Sequence, residues 1–110
     1  MKLIASLALF AAANLALAEC TRPTAPESLP DGATADLETM LEGQKAVKAF
    51  DTATNAYLDC LTKEGEAAAE DESPEEQLKR VEMHNAAVDA MESLAAKFNE
   101  EIREYKAKGQ

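Results

Sequence analysis

A single histidine and the methionines near it are the residues of this sequence that could bind a metal ion or a haem. His84 directly follows Met83, and Met91 lies two helical turns further on. Imidazole and thioether groups bind copper and haem iron, but the chain lacks the Cys-x-x-Cys-His motif of covalently attached haem. His84 also suits a hydrogen-bonded position in a helical core, opposite Thr54. The sequence favours this second interpretation, and no cofactor is expected.

The second group that could do chemistry is a run of acidic residues in the middle of the chain. Carboxylates bind calcium when their spacing lets them surround the ion, as in an Asp-x-Asp-x-Asp-Gly loop, and that spacing is absent here. The cluster is interpreted as a solvated loop followed by a charged helix start, with a bound divalent ion left open. Its members are Glu64, Glu66, Glu70, Asp71, Glu72, Glu75 and Glu76.

These residues do not predict an enzyme. A nucleophile needs a neighbouring base, yet both thiols are expected to be oxidised and the one histidine has no obvious serine partner. Paired carboxylates can hydrolyse glycosides, but they require a cleft that holds the sugar. Two helices are not expected to form such a cleft.

The first 18 residues have the composition of a secretory signal peptide. Lys2 supplies a positive charge, residues 3–13 form a short apolar stretch, and residues 16–18 match the small-x-small pattern of a cleavage site. Cleavage is predicted between Ala18 and Glu19. Because the apolar stretch is shorter than the ~20 residues that span a bilayer, a soluble periplasmic product is expected.

Cys20 and Cys60 are the only cysteines of the chain. An even cysteine count in a small exported protein favours one disulfide. Cys20 lies close to the cleavage site, where a lipid anchor is an alternative. Glu19 argues against that anchor, because the lipoprotein peptidase requires a small residue before the cysteine. We therefore expect a Cys20–Cys60 disulfide and no stable membrane anchor.

The charge of the mature chain limits its partners. Removing 18 of the 110 residues leaves 92, and the loss of Lys2 changes the net charge from −10 to −11, because the removed segment has no acidic residue. This charge repels the phosphates of nucleic acids and anionic lipids, so neither is expected to bind. The absence of tryptophan indicates a thin core that a disulfide would support.

Three segments follow the signal peptide. Residues 19–35 contain three prolines and a Pro-Asp-Gly turn, which predict an extended arm. Residues 36–62 carry apolar residues at helical spacing and predict a helix, with Asp36 or Thr34 as its N-cap.

The third segment predicts a loop and a second helix. Residues 63–73 are acidic and lack an apolar period, whereas Ser73-Pro74-Glu75-Glu76 forms a capping box that starts a helix over residues 74–107. The predicted fold is therefore all-α. It is an antiparallel, coiled-coil-like hairpin over residues 36–108, with the proline-rich arm pinned by the disulfide.

Each predicted helix has one apolar stripe, whose residues are spaced three and four apart in alternation. The first stripe is Met40, Gly43, Val47, Phe50, Thr54, Tyr57 and Leu61. The second is Val81, His84, Val88, Met91, Ala95, Phe98, Ile102 and Tyr105. If the stripes face each other, the numbers of paired residues sum to about 138. Thr54 then faces His84, and Gly43 faces Ala95 where the helices come closest.

Apolar residues outside these stripes indicate a further contact. They are Leu41, Ala46, Ala53, Leu58, Leu78, Ala87 and Leu94. The arm, a second copy of the chain or another envelope protein could cover this residual face. The sequence favours a non-enzymatic periplasmic interaction or structural protein. The alternatives are a metal or small-cofactor binding protein that uses His84 and its neighbouring methionines, and a periplasmic helical-hairpin chaperone.

Short sequence elements spread over nearly all of the mature chain carry a resemblance. They are Cys20-Thr-Arg-Pro23, Pro30-Asp-Gly32, Gln44-Lys-Ala-Val-Lys48, Tyr57-Leu-Asp-Cys60, Asn85-Ala-Ala-Val-Asp89, Phe98-Asn99 and Ile102-Arg103-Glu104-Tyr105. In these elements the chain resembles a loose group of small exported proteobacterial proteins of unknown function, which implies a bacterial periplasm and no particular activity. The exported hairpin architecture also resembles Spy-like periplasmic chaperones, although the Leu-Thr-x-x-Gln motif of those proteins is absent, since Gly65 stands at its last position.

Overall fold

The computed structural model of the protein describes residues 20–109. The predicted signal peptide, and the predicted cleavage site between Ala18 and Glu19, lie outside these residues. The described part consists of an extended arm over residues 20–35 and two helices, α1 (Leu37–Ala68) and α2 (Pro74–Lys108). The predicted all-α hairpin is confirmed, and no strand occurs within residues 20–109.

Both helices begin where the capping residues predict. The Asp36 carboxylate accepts a hydrogen bond from the Thr39 backbone N–H at 2.8 Å, and this bond lowers the pKa of Asp36. Ser73 Oγ accepts one from the Glu76 N–H at 3.2 Å, and Pro74 occupies the first helical position. Each cap satisfies a backbone donor that has no partner within its helix.

The first helix continues six residues beyond the predicted end at residue 62. Residues 63–68 are Lys, Glu, Gly, Glu, Ala and Ala, most of which favour helix even without an apolar stripe. Lys63 Nζ also lies 2.9 Å from the Asp59 carboxylate one turn earlier, a spacing that supports a helix. The connection between the helices is therefore residues 69–73, shorter than the predicted loop.

The predicted disulfide is present and fixes one end of the arm. Cys20 and Cys60 are bonded, with their Cα atoms 5.7 Å apart. From there the arm runs back along the hairpin toward the start of α1. Leu29 packs against the core, and the Gly32 N–H donates a hydrogen bond to the Glu101 carboxylate of α2 at 2.9 Å. The arm thus forms a third layer beside the two helices.

Two glycines let the arm approach the helices closely. A Cβ on Gly32 would lie 1.8 Å from the Glu101 carbonyl oxygen, so the arm backbone touches the backbone of α2. A Cβ on Gly43 of α1 would lie 2.7 Å from Cγ of Pro30. This glycine makes room for the arm, because Pro30 and the Phe98 ring lie against it. That the helices come closest where Gly43 faces Ala95 stays a prediction.

The core consists of two clusters. The base cluster, near the open end of the hairpin, is Met40, Val47, Phe50, Leu94 and Phe98. The tip cluster, near the connection, is Tyr57, Leu61 and Ala87. All seven residues of the predicted α1 stripe are buried, so this stripe is confirmed.

The predicted stripe of α2 is wrong in its first half. His84 is exposed and the Thr54 hydroxyl has no hydrogen-bond partner among residues 20–109, so His84 is not the hydrogen-bonded core residue that the sequence favours. Val81 is 49% exposed. The fully buried residues are Ala87, Leu94 and Phe98, of which Ala87 and Leu94 were assigned to the residual face. Val81 and His84 line an open space near the connection of the two helices, where they stay exposed. Farther along α2 the arm adds a second neighbour, with Cys20 packed against the cluster of Ala87 and Leu29 against that of Leu94.

The disulfide should make a large contribution to stability. It closes a loop with a sequence separation of 40 residues, and chain entropy predicts that the double variant Cys20→Ser/Cys60→Ser loses about 4 kcal/mol of unfolding free energy. Urea denaturation followed by circular dichroism measures this loss. Dithiothreitol should destabilise the wild type by a similar amount and leave the double variant unchanged. Equal stability of the oxidised and reduced wild type would contradict the expectation.

Thr54 offers a second test, because it is a polar residue in the core. Its side chain is 1% exposed, and its hydroxyl oxygen has no hydrogen-bond partner among residues 20–109. Replacing this hydroxyl by a methyl group in Thr54→Val should raise the unfolding free energy by about 1 kcal/mol. The control Thr54→Ser keeps the hydroxyl and loses a methyl group, so it should lower stability by about 1 kcal/mol. Destabilisation by both substitutions would show that the hydroxyl is satisfied in solution.

Candidate functional site

The end of the hairpin where the helices connect contains an open cleft of about 510 Å³, which the sequence did not predict for two helices. It forms because α1 extends past its last buried residue, Leu61, and the short connection then turns the chain back into α2. We call it the tip cleft. Its lining includes Leu61, Gly65 and Glu66 from α1, Glu72 from the connection, and Arg80, Val81 and His84 from α2.

An ion pair between Glu72 and Arg80 fixes the connection against α2. Arg80 Nη1 donates to one Glu72 carboxylate oxygen at 2.6 Å and lies 2.5 Å from the other. The Glu72 side chain is only 6% exposed, and the hydrogen bond raises the pKa of the Arg80 guanidinium. A Cβ on Gly65 would lie 3.1 Å from Arg80 Nη1, so this glycine allows the guanidinium to lie against α1. The pair thereby joins α1, the connection and α2.

The Glu72–Arg80 ion pair distinguishes Glu72 from the other residues of the predicted acidic cluster. Glu72 is paired and largely buried, which the sequence interpretation of a solvated cluster missed. The other six acidic residues take part in no ion pair within residues 20–109. The basic residue that could have indicated this pair is Arg80, which follows Glu72 by eight residues. Glu72 lies in the connection before α2, so the periodicity of the helix does not relate the two residues. The tip therefore carries a concentrated negative charge around a partly apolar cleft.

The candidate metal ligands of α2 lie in three different surroundings. Met83 packs against the tip cluster and Met91 against the base cluster, whereas His84 is exposed and lines the tip cleft. A ligand set for copper or haem iron needs its donor atoms directed at one point. The structure does not bring these three side chains together.

A different group of carboxylates meets at the base of the hairpin. One oxygen each of Asp31, Glu101 and Glu104 lies within 4.8 Å of the other two. Such oxygens could contact a cation, although calcium takes six to eight oxygen ligands and Glu101 already accepts the hydrogen bond from Gly32. The negative charge of Glu101 is the main cause that raises the pKa of Glu104. The sequence did not predict this group, because the arm places residue 31 beside a helix turn 70 positions away.

The open end of the hairpin is also closed by polar contacts. Lys108 Nζ donates a hydrogen bond to the Ala35 carbonyl oxygen just before α1, and it lies 4.8 Å from the centroid of the Tyr105 ring. These contacts join the last turn of α2 to the end of the arm. Both ends of the hairpin are thus held by side chains that connect separate segments.

Comparison with known protein families, with curated proteins and with solved structures finds no match to this chain. Within residues 20–109, neither helix combines the length and apolar character needed to cross a membrane.

The carboxylate group at the base predicts a pH dependence of stability. Because the pKa of Glu104 is raised in the folded state, its repulsion with Glu101 lowers stability above that pKa and is relieved as the pH falls through it. The variant Glu104→Gln should therefore be more stable than the wild type at pH 7, and it should gain less stability on acidification. Thermal unfolding at several pH values measures both effects. The control is Glu92→Gln, at an exposed position of the same helix. A loss of stability at pH 7 in Glu104→Gln, with no loss in the control, would contradict the assignment.

Proposed function

We propose that this chain is a non-enzymatic interaction protein of the bacterial periplasm, and that the tip of its hairpin binds the partner. The observation that carries the proposal is the exposure of two large apolar side chains at the tip. Leu78 is 59% and Val81 49% exposed, and they lie one helical turn apart, with Val81 lining the tip cleft. Exposed apolar residues beside a cleft are typical of binding surfaces.

The location is supported by the N-terminal sequence and by the disulfide. Residues 1–18 have the charge, apolar stretch and small residues of a secretory signal peptide. The Cys20–Cys60 bond is of a kind that persists in oxidising compartments such as the periplasm. The same oxidation leaves neither thiol available as a nucleophile.

The proposal of a non-enzymatic role is supported by the residues of the tip cleft. His84 is the only histidine of the chain. The Thr62 hydroxyl beside it in the cleft lining donates to the Leu58 carbonyl oxygen, and Ser73 Oγ accepts from the Glu76 N–H. Arg80 and Glu72 are bonded to each other. These groups can position a partner, but they do not form a nucleophile with its base.

The Glu72–Arg80 ion pair holds the connection against α2 beside the proposed binding surface. Part of the residual apolar face predicted for a partner is covered: Ala87 and Leu94 are core residues, and Leu58 packs against the tip cluster. Leu41, at the other end of α1, is 48% exposed. Leu78 stays exposed on the first turns of α2, next to a connection that the Glu72–Arg80 pair holds in place. A preorganised surface loses little conformational entropy on binding.

Site-specific photo-cross-linking in bacteria tests this proposal. A benzoylphenylalanine at position 78 should give a defined adduct with one envelope protein, which mass spectrometry identifies. The same group at position 45, which is exposed on α1 away from the tip, should give no such adduct. The purified partner should bind the wild type at least about tenfold more tightly than Val81→Asp, because a buried carboxylate would disrupt an apolar contact.

Two results would contradict the proposal. One is the absence of any adduct from position 78 in cells that export the protein. The other is a partner that binds wild type and Val81→Asp with equal affinity. Unchanged circular dichroism and urea midpoints of the variant show that the fold is preserved.

A further inference from the structure

The segment that surrounds the tip cleft carries an excess of negative charge. Residues 59–82 contain nine acidic and three basic residues. Two of the basic residues are engaged, since Lys63 pairs with Asp59 and Arg80 with Glu72. Seven carboxylates and Lys79 then remain outside the ion pairs of the described chain. This end of the hairpin produces a strong negative field.

The cleft itself adds an apolar component. Leu61, Gly65 and Val81 line it, together with the carboxylate residue Glu66. Its volume of about 510 Å³ is within the range of pockets that accept small molecules or side chains. Exposed Leu78 extends the apolar surface along α2. A ligand that fills this site therefore needs apolar groups with positive charges around them.

We propose that the tip cleft binds a cationic amphipathic segment of a partner protein, with apolar side chains in the cleft and lysine or arginine residues facing the surrounding carboxylates. This inference rests on the proposed function and names the chemistry of the partner. Each segment around the cleft carries a carboxylate outside the ion pairs of the described chain: Glu66 of α1, which lines the cleft, Glu70 of the connection and Glu76 of α2. Arg80 does not repel the segment strongly, because Glu72 neutralises it at 2.6 Å.

The same observations disfavour other occupants. A second copy of the chain would bring an equal excess of carboxylates to the contact, and like charges at an interface weaken association. Anionic lipid headgroups and nucleic acids are repelled for the same reason. A neutral apolar segment could enter the cleft, but it would leave the surrounding carboxylates without counter-charges. Only a cationic segment complements both the charge and the apolar surface.

Binding of a synthetic peptide to the purified, oxidised protein tests the inference. The probe is a short fluorescent peptide of leucine and lysine at helical spacing, followed by anisotropy. We expect saturable binding that weakens as salt is added. The triple variant Glu66→Gln/Glu70→Gln/Glu76→Gln should bind about tenfold more weakly. Val81→Ser should also weaken binding severalfold, because it removes an apolar contact.

Matched controls separate the tip from the overall charge. The variant Glu27→Gln/Glu42→Gln/Glu92→Gln removes the same number of charges from exposed positions away from the tip, and its affinity should stay within about twofold of the wild type. A peptide with glutamate in place of lysine should not bind, and one with alanine in place of leucine should bind weakly. Equal weakening in the two triple variants, or equal binding of the glutamate peptide, would overturn the inference.

The outcome also distinguishes this inference from the proposed function. If position 78 cross-links to a partner in bacteria and the leucine and lysine peptide does not bind, the tip is an interaction surface for a different chemistry and the inference fails. If neither cross-linking nor peptide binding occurs, the proposed function fails with it.

Discussion

The fixation of the arm is the constraint on which the rest of this structure depends. Two helices with few aromatic residues bury too little apolar surface to form a stable pair alone. The arm adds a third layer, and it is held at one end by the Cys20–Cys60 bond. At the other end Gly32 lies against the α2 backbone and bonds Glu101. Between these points Leu29 contributes to the base cluster, so the arm is part of the core.

The same constraint explains how the sequence uses small residues. Gly43 lies on the buried face of α1 because Pro30 and Phe98 occupy the space where a side chain would project. Ala87 is 2% exposed and packs with Tyr57 and Leu61 in the tip cluster. The small residues at these positions leave space for larger side chains from a neighbouring segment. Pro30 and Phe98 use this space at Gly43, and Tyr57 and Leu61 use it at Ala87. The path of the arm therefore depends on the small residues of the helices, and these positions must stay small because the arm lies against them.

The sequence predicts interactions between residues that are close together in the chain better than interactions between distant ones. Caps and helix starts depend on neighbours within four residues, so Asp36 and Ser73 were identifiable. The α1 stripe was correct because α1 is buried along one narrow face. The α2 stripe failed near His84 because Val81 and His84 line the open tip cleft, and periodicity does not show where the contact between two helices ends. The Glu72–Arg80 pair and the approach of Asp31 to Glu101 join residues across turns, which no local pattern encodes.

The position of the disulfide also determines how the molecule carries mechanical load. A partner bound at the tip, as proposed, would pull on the end of α1, and a force applied at the N-terminus would enter the described chain at Cys20. The covalent bond transfers that force directly to Cys60, eight residues before α1 ends at Ala68. The arm and most of α1 form a closed loop that lies outside this path. The base cluster is therefore shielded from tension that acts between the N-terminus and the tip.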